Sequence, residues 1–198
     1  MAYKGLKFPV FAPIEQETEG QKITYGKAVV LGRAISAEIE VRRSEATLYA
    51  DDAAAEHDNG ITGGSITFGV SEINKDAETA VLGRHKETVS DGHKTIDVYV
   101  DTDAGAPYGG FGYYRVMQVR GVLHIDAYWI YKTQLGAANE SAQTRGENTE
   151  WQTPSVSGVF LATHQDDTGV AMYREHAYFD TEAEAIAWIK GHCANDEG

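Results

Sequence analysis

A histidine and an aspartate two residues apart are the first residues of this chain that could carry chemistry together. His124 and Asp126 lie on a predicted strand, so both side chains point to the same face of it. Such a pair can supply two metal ligands or act as an acid and a base. Because no third ligand follows at a suitable spacing, the constellation is incomplete, and we expect a structural or surface role for the pair.

Two loops match ion-binding motifs over part of their length only. Asp101-Thr102-Asp103 begins like a calcium loop, but Gly112 stands at the twelfth position, where that loop requires a glutamate. The run Gly109-Gly110-Phe111-Gly112 lacks the final glycine and the strand and helix context of a dinucleotide-binding loop. We therefore expect a turn at the first place, within a loop over 101–110, and no phosphate binding at the second, and the sequence predicts no cofactor.

The single cysteine also lacks the surroundings of a nucleophile. Cys193 lies beside His192 near the end of a predicted helix, without a glycine-rich turn that could stabilise an oxyanion. We expect a partly buried thiol. One cysteine cannot form an intrachain disulfide, which is typical of a protein kept in a reducing compartment.

Hairpin signals are strongest in the middle of the chain. Arg120-Gly121 separates predicted strands at 113–119 and 122–132, and glycine readily supplies the positive φ of a tight turn. We expect this hairpin to be the central pair of the sheet, because aromatic side chains concentrate in it. These are Tyr113, Tyr114, Tyr128, Trp129 and Tyr131.

Strict alternation over residues 27–43 predicts a long strand with one polar face. The apolar side carries Ile35, Ala37, Ile39 and Val41, and the polar side carries Ser36, Glu38, Glu40 and Arg42.

The remaining elements are shorter strands and two helices. Two β-type runs at 46–50 and 60–73 flank a connector at 53–59, and further strands are expected at 95–100, 151–161 and 170–179. Residues 6–14, interrupted by Pro9 and Pro13, are typical of an edge strand or arm.

The two predicted helices have recognisable caps. Asn74 can cap a short helix over 75–82, and Thr181 to Glu184 form a capping box that opens a helix to about His192. The sequence thus predicts a single mainly β domain over residues 1–198, of the α+β type. It would be a β-sandwich or barrel with one short mid-chain helix and a C-terminal helix packed on it.

Charge and composition restrict the possible partners. The chain has 198 residues, of which 42% are hydrophobic and 24% charged, as in an ordinary globular protein. Its net charge of -13, from 30 acids and 17 bases, disfavours wrapping of nucleic acid through the phosphates. No apolar run approaches 18 residues and no signal peptide is visible at the N-terminus, so we expect a protein made and kept in a cytoplasm, without a membrane partner.

Two polar segments stand out from the predicted strands. Residues 133–150 consist mostly of Gly, Ala, Asn, Gln, Ser, Thr and Glu, and a polar loop of this length is usually either functional or disordered. Asp51, Asp52, Glu56 and Asp58 form an acidic run without Lys or Arg, which is typical of a solvated loop.

Five collinear patches of this chain resemble one protein family, over roughly residues 5–160. The first joins Thr47-Leu48-Tyr49-Ala50-Asp51-Asp52 to Gly64-Ser65-Ile66-Thr67-Phe68-Gly69-Val70. The others are Leu82-Gly83-Arg84-His85, Ala106 to Arg115, Tyr128-Trp129-Ile130-Tyr131-Lys132, and Trp151 to Phe160. In this order they resemble the phi13-type major tail proteins of long-tailed bacteriophages (siphoviruses), which are the subunits of the tail tube.

The resemblance implies a structural virion protein and no enzyme. Copies would form rings, hexameric by resemblance, that stack into a hollow tube around a tape-measure protein and later conduct the genome during ejection. Other tail proteins would bind the tube ends, and double-stranded DNA would pass without specific binding. The protein would be made in the host bacterial cytoplasm and reside in the tail of the virion.

The resemblance favours a protruding arm at 133–150 over simple disorder, and it offers a subunit boundary as the alternative to a solvated loop for the acidic run. It also assigns two groups of residues. Those expected at contacts between subunits or rings are Asp51, Asp52, Glu56, Asp58, Ala137, Asn139, Glu140, Gln143, Arg145 and Glu147. Those expected to face the channel are Ser36, Glu38, Glu40 and Arg42.

Two other functions stay open on the sequence alone. One is a β-sandwich binding module that recognises carbohydrate or a protein partner through the aromatic hairpin and the loop at 101–110, which requires exposed aromatic rings. The other is an enzyme built on His124 and Asp126, which requires a pocket holding both residues and a third polar group.

The arm interpretation yields a deletion test. Removal of residues 137–146 is expected to leave a folded monomer that no longer forms tubes, because the arm would connect subunits rather than build the core. Negative-stain microscopy of the purified variant measures this, and tubes of normal length would remove the arm from the assembly.

Overall fold

Strands make up most of the structure. A computed structural model describes residues 2–50, 53–90, 92, 94–102, 105–137, 153–166 and 168–194, and their side chains except at 2, 46–50, 53–59, 76, 78 and 137. In chain order the elements are β1 (Ala2–Gln16), β2 (Thr24–Tyr25), β3 (Val29–Val30), β4 (Ala34–Ala50), β5 (Ala53–Val70), α1 (Lys75–Ala80), β6 (His85–Ser90), β7 (Thr95–Val100), β8 (Tyr108–Val119), β9 (Val122–Ala137), β10 (Ser155–Leu161), β11 (Thr163–His164), β12 (Ala171–Met172), β13 (Arg174–Phe179) and α2 (Glu182–Lys190).

The large sheet is antiparallel. Over the described residues its order is β2-β1-β8-β9-β10-β5-β4, with β3 paired to β1 and β13 paired to β9. The long strand β9 changes partner along its length, since its first part pairs with β13 and its last part with β10. The β8–β9 hairpin lies in the middle, as the aromatic residues and the Arg120-Gly121 turn predict. The predicted edge strand at 6–14 is part of β1, whose outer side meets only the two-residue strands β2 and β3.

The sheet is rolled, which gives it a barrel-like shape. Phe68 on β5 and Phe111 on β8 are separated by two strands, so in a flat sheet they would lie about 14 Å apart. Their ring centroids are instead 5.1 Å apart in an edge-to-face contact, and Tyr113 lies 5.7 Å from Phe68. The inner face of the sheet therefore packs against itself.

Alternation of side chains gives the sheet two apolar cores. Phe111, Tyr113 and Phe68 belong to the first core, inside the roll, which α1 closes with Ala77. The second core lies on the opposite face under α2. It contains Val10, Tyr25, Tyr114, Trp129, Tyr131, Ala185 and Ile189.

Close packing explains the glycine-rich run at the start of β8. A Cβ added at Gly110 would lie 2.2 Å from the Trp129 ring, and one at Gly112 would lie 2.7 Å from Ile189. The run therefore makes room for the second core and for α2, and the predicted loop at 101–110 is wrong over its last three residues, which belong to β8. The strand begins at Tyr108, five residues before the predicted start, because these glycines hide the alternation.

The predicted caps and the tight turn are confirmed. Asn74 accepts a hydrogen bond from the Ala77 amide at the start of α1, and Thr181 and Glu184 form a capping box at the start of α2. Arg120 and Gly121 have φ values of 51° and 87°, and the two-residue turn joins the paired Val119 and Val122. Neither described helix has the length and hydrophobicity needed to cross a lipid bilayer.

The predicted connector at 53–59 is wrong, because these residues belong to β5. Ala50 pairs with Ala53 and Ala46 pairs with Asp58, so β4 and β5 form one long hairpin. The stretch is rich in alanine and acids, which have low strand propensity, and pairing with β4 overrides that preference.

The predicted arm begins later than residue 133. Strand β9 continues to Ala137, with Thr133 and Leu135 buried, because it pairs with β10 as far as Val156. Residues 138–150 lie outside the described part of the chain. A deletion that begins at residue 138 is therefore the better test of the arm, because it leaves β9 intact.

A substitution in the first core tests the rolled sheet. Phe68→Ala is expected to lower the free energy of unfolding by about 3–5 kcal/mol, since a fully buried aromatic ring leaves a cavity. Thr67→Val at the exposed neighbouring position is the control and should change it by less than about 0.5 kcal/mol. Urea unfolding followed by circular dichroism measures both, and equal effects would contradict the packing of Phe68 between β5 and β8.

Candidate functional site

The residues predicted to face a channel share one solvent-exposed face at the edge of the sheet. Ser36, Glu38, Glu40 and Arg42 alternate along β4 and are all exposed. They lie opposite Gly69, Thr67, Ser65 and Gly63 of β5, respectively. The Ser65 hydroxyl donates a hydrogen bond to the Glu40 carboxylate at 3.3 Å.

This face continues across four strands. Thr67 pairs with Ser157 of β10, and Ser65 pairs with Val159, which in turn pairs with Gln134 of β9. Lys132, in the next row, is neutralised by the Glu17 carboxylate at 2.5 Å. The polar face, as we name it, comprises Ser36, Glu38, Glu40, Arg42, Ser65, Thr67, Gln134 and Ser157. It carries hydroxyl, amide and carboxylate groups with few bases.

The apolar side of β4 is incompletely covered. Ile39 is half-buried against the first core, but 52% of Ile35 and 37% of Val41 are exposed. No described strand pairs with the outer edge of β4. A 17-residue edge strand with exposed Ile and Val is a surface suited to further pairing.

Beyond this edge, β4 and β5 extend as a two-stranded hairpin. The last pair between β10 and β5 is Leu161 with Gly63, whereas β4 and β5 pair with each other as far as Ala50 and Ala53. The projecting part is about 25 Å long at the rise of a strand. An isolated two-stranded hairpin is only marginally stable in water, so a partner surface would stabilise it.

Most of the predicted assembly residues lie outside the described part of the chain. Glu56 and Asp58 are on β5 and Ala137 ends β9, with side chains that are not described. The residues outside are Asp51, Asp52, Asn139, Glu140, Gln143, Arg145 and Glu147.

A second hairpin, β6–β7, exposes an apolar ladder. Val89 pairs with Ile96, and Val98 and Val100 follow on the same face of β7. Their exposed fractions are between 37% and 50%. The two strands form a separate two-stranded sheet over the described residues.

A buried carboxylate organises a group of arginines and aromatic rings. Asp126 is fully buried and accepts hydrogen bonds from Arg115 at 3.3 Å and from the Tyr128 hydroxyl. His176 Nδ1 lies 3.3 Å from its other oxygen. Arg115 also donates to the Tyr3 hydroxyl at 3.0 Å and lies over the Tyr3 ring.

Aromatic stacking holds the rest of this group. The Tyr128 ring stacks on His176, with centroids 5.5 Å apart, and the Arg174 guanidinium lies 5.3 Å from the same ring. Burial and the hydrogen bond to Asp126 raise the pKa of Tyr128, which keeps its hydroxyl as a donor. The Arg-Tyr cluster, as we name it, comprises Tyr3, Arg115, Asp126, Tyr128, Arg174, His176 and Tyr178.

His124 and Asp126 do not act as a pair. His124 lies 3.2 Å from Asp180, and the shallow pocket around it is lined by Tyr178, Phe179 and Glu184 without Asp126. The pocket that an enzyme built on this pair would require is therefore not formed.

Asp101 of the calcium-like loop and Cys193 are each bound by another residue of the chain. The Asp101 carboxylate binds Arg84 at 2.7 Å, and Asp103 lies outside the described residues. Within the described chain, no group of three or more His, Cys, Asp or Glu residues is arranged to hold a metal ion. Burial raises the pKa of Cys193 to about 11, and its thiol donates weakly to the Ile189 carbonyl.

The aromatic hairpin does not form an exposed binding surface. Tyr113, Tyr114, Tyr128, Trp129 and Tyr131 are each at most 7% exposed, because they build the two cores. The carbohydrate-binding interpretation needs exposed rings at this place.

Sequence reasoning missed most of the Arg-Tyr cluster. Tyr3, Arg115 and His176 come from three strands that are distant in the chain, and no local spacing connects them. The alternation of β9 showed only that Asp126 and Tyr128 share a face.

Comparison of the chain with protein-family models and with curated protein sequences found no match.

A buried histidine makes stability depend on pH. The His192 ring stacks on Trp129 and is 7% exposed, and burial lowers its pKa to about 4 even though Glu175 lies 3.4 Å away. In the unfolded chain the His192 imidazole binds a proton near pH 6.5. The stability that the neutral, buried His192 ring contributes is therefore complete above pH 6.5 and is lost as the pH falls towards 4.

Replacement of this histidine should reduce the acid sensitivity. In His192→Phe, which keeps an aromatic ring at the site, the free energy of unfolding is expected to fall less steeply between pH 6.5 and 4 than in the wild type. Exposed His164→Gln is the control and should keep the wild-type slope. Urea titrations at several pH values measure the slopes, and parallel curves for His192→Phe and the wild type would contradict this role.

Proposed function

We propose that this chain is the subunit of a bacteriophage tail tube, which self-associates into stacked rings that enclose a channel for the genome. The rings would be hexameric by resemblance and would surround a tape-measure protein, with other tail proteins at the tube ends. The protein would act in the virion tail after synthesis in the host bacterial cytoplasm.

The open edge of β4 is the observation that carries the proposal. A closed ring of subunits removes sheet edges by joining each to the next copy. The exposed Ile35 and Val41 give the edge apolar surface to bury in such a contact, and 17 residues give it length. At the other end of the sheet order, β1 presents a second edge, which the short strands β2 and β3 cover in part and which the roll of the sheet brings close to part of β4.

The polar face supports a channel wall. Hydroxyl and carboxylate groups bind phosphates weakly compared with arginine and lysine, Arg42 is the one arginine among the residues of the polar face, and the neighbouring base Lys132 is already neutralised by Glu17. A wall of this composition would let double-stranded DNA pass without specific binding, in agreement with the net charge of -13.

Two hairpins support association through several separate contacts. The β4–β5 hairpin projects from the sheet, and the β6–β7 hairpin exposes Val89 and Ile96. Each would be stabilised by burial against another copy. The chemistry-bearing residues His124, Asp126 and Cys193 have separate structural contacts, which supports a protein that is not an enzyme.

Purified protein at high concentration tests the proposal directly. Electron microscopy is expected to show rings or filaments with a central channel. A monodisperse particle of about the 21.6 kDa chain mass under all solution conditions would refute self-assembly.

Charges placed on the β4 edge should block assembly without unfolding the subunit. Ile35→Lys combined with Val41→Lys is expected to leave the circular dichroism spectrum unchanged, because both side chains are exposed, and to abolish rings and filaments. Val170→Lys, at a residue that is 59% exposed away from this edge, is the matched control. Normal assembly of the double variant would exclude the β4 edge as a subunit contact.

A further inference from the structure

The Arg-Tyr cluster is a positively charged surface on an acidic protein. Two guanidinium groups and the His176 imidazole surround a single carboxylate, that of Asp126. Tyr3 and Tyr178, at the rim, are 50% and 63% exposed. The chain as a whole carries a net charge of -13, so this concentration of bases is unusual within it.

The hydrogen-bonding capacity of these arginines is not exhausted. Arg115 uses one terminal nitrogen for Asp126, Tyr128 and Tyr3, while its Nε is buried without a partner in the described structure. Arg174 contacts the rings of Tyr128 and Tyr173 and makes no ion pair with any described acid. Guanidinium groups held in place by aromatic rings are preorganised to bind a carboxylate.

The projecting β4–β5 hairpin belongs to the same sheet as the cluster. In one row across the sheet, Lys132 of β9, Leu161 of β10 and Gly63 of β5 are paired. Beyond this row β9 pairs with β13 instead of β10, and on the hairpin Glu45 of β4 pairs with Asn59 of β5.

The β4–β5 hairpin offers the complementary charge. Residues 44–60 contain Glu45, Asp51, Asp52, Glu56 and Asp58 and no Lys or Arg. Glu45 is exposed and makes no ion pair with the cluster of its own chain.

We propose that the Arg-Tyr cluster binds the acidic β4–β5 hairpin of a second copy, with Glu45 meeting Arg174. The inference rests on the proposed self-assembly and specifies one of its contacts. The contact is heterologous, so each copy gives one hairpin and receives another.

Charge reversal of each side tests this contact with the full-length chain. Arg174→Glu and Glu45→Arg are each expected to weaken self-association at least about tenfold in sedimentation velocity at low salt, because each places like charges together. The double variant carrying both reversals is expected to recover association. Lys22→Glu, an equal change of charge at an exposed residue outside the cluster and outside β4, is the control and should associate like the wild type.

A mixture of the two single variants provides an independent measurement. The Glu45 hairpin of one variant can meet the Arg174 cluster of the other, so the mixture should associate where neither variant does alone. Unimpaired association of both single variants would overturn the contact while leaving tube formation intact. Loss of association in both without recovery in the double variant or in the mixture would also overturn it.

Binding of a phosphate polymer is the competing use of the cluster. If Arg174→Glu leaves self-association unchanged but abolishes retention of the protein on immobilised double-stranded DNA, the cluster binds phosphates and the hairpin proposal is wrong. Absence of any self-association in the wild type would refute the proposed tube and this contact together. Tubes formed by wild type and variants alike would refute the contact alone.

Discussion

Contact between the aromatic rings of non-adjacent strands determines the shape of this protein. Phe68 can meet Phe111 and Tyr113 only if the sheet bends through the two strands between β5 and β8. Burial of these rings supplies the driving force, since each removes a large apolar area from water. On the opposite face of the sheet, the glycines of β8 let Trp129 and α2 pack directly against the strand. Thus both faces of the central strands are packed at the same time.

This packing decides which surfaces are left for partners. The aromatic rings of the β8–β9 hairpin are buried in the two cores. Polar groups, strand edges and the other two hairpins are left on the surface. The β4 edge extends past the last pairing of β10 with β5, so its final residues are held by β5 alone. The surfaces that support self-association are therefore those that the monomer is unable to bury.

The buried Asp126 imposes a second constraint on the same sheet. An isolated carboxylate in an apolar core is costly, so it must be paired. Tyr128 satisfies it from its own strand β9, and Arg115 and His176 from the neighbouring strands β8 and β13, while the stacked rings hold Arg174 beside them. One buried acid thus gathers several bases at the surface of a protein that is acidic elsewhere. Within one copy the Arg-Tyr cluster has a structural role. The inferred contact with a second copy uses the excess positive charge of this cluster.

Local patterns in the sequence determined the strands, the caps and the tight turn. The alternation around Ile39, the Thr181 capping box and Arg120-Gly121 depend on neighbouring residues, so their outcome could be predicted. The strand at 53–59 and the continuation of β9 to Ala137 could not, because pairing with distant strands overrides the low propensity of alanine, glycine and acidic residues. The partners of Asp126 likewise depended on the tertiary structure, since Arg115 and His176 reach it only when β8, β9 and β13 lie side by side. The sequence showed which residues alternate, whereas only the folded sheet decided which of them meet, because register and curvature are set by contacts between residues far apart in the chain.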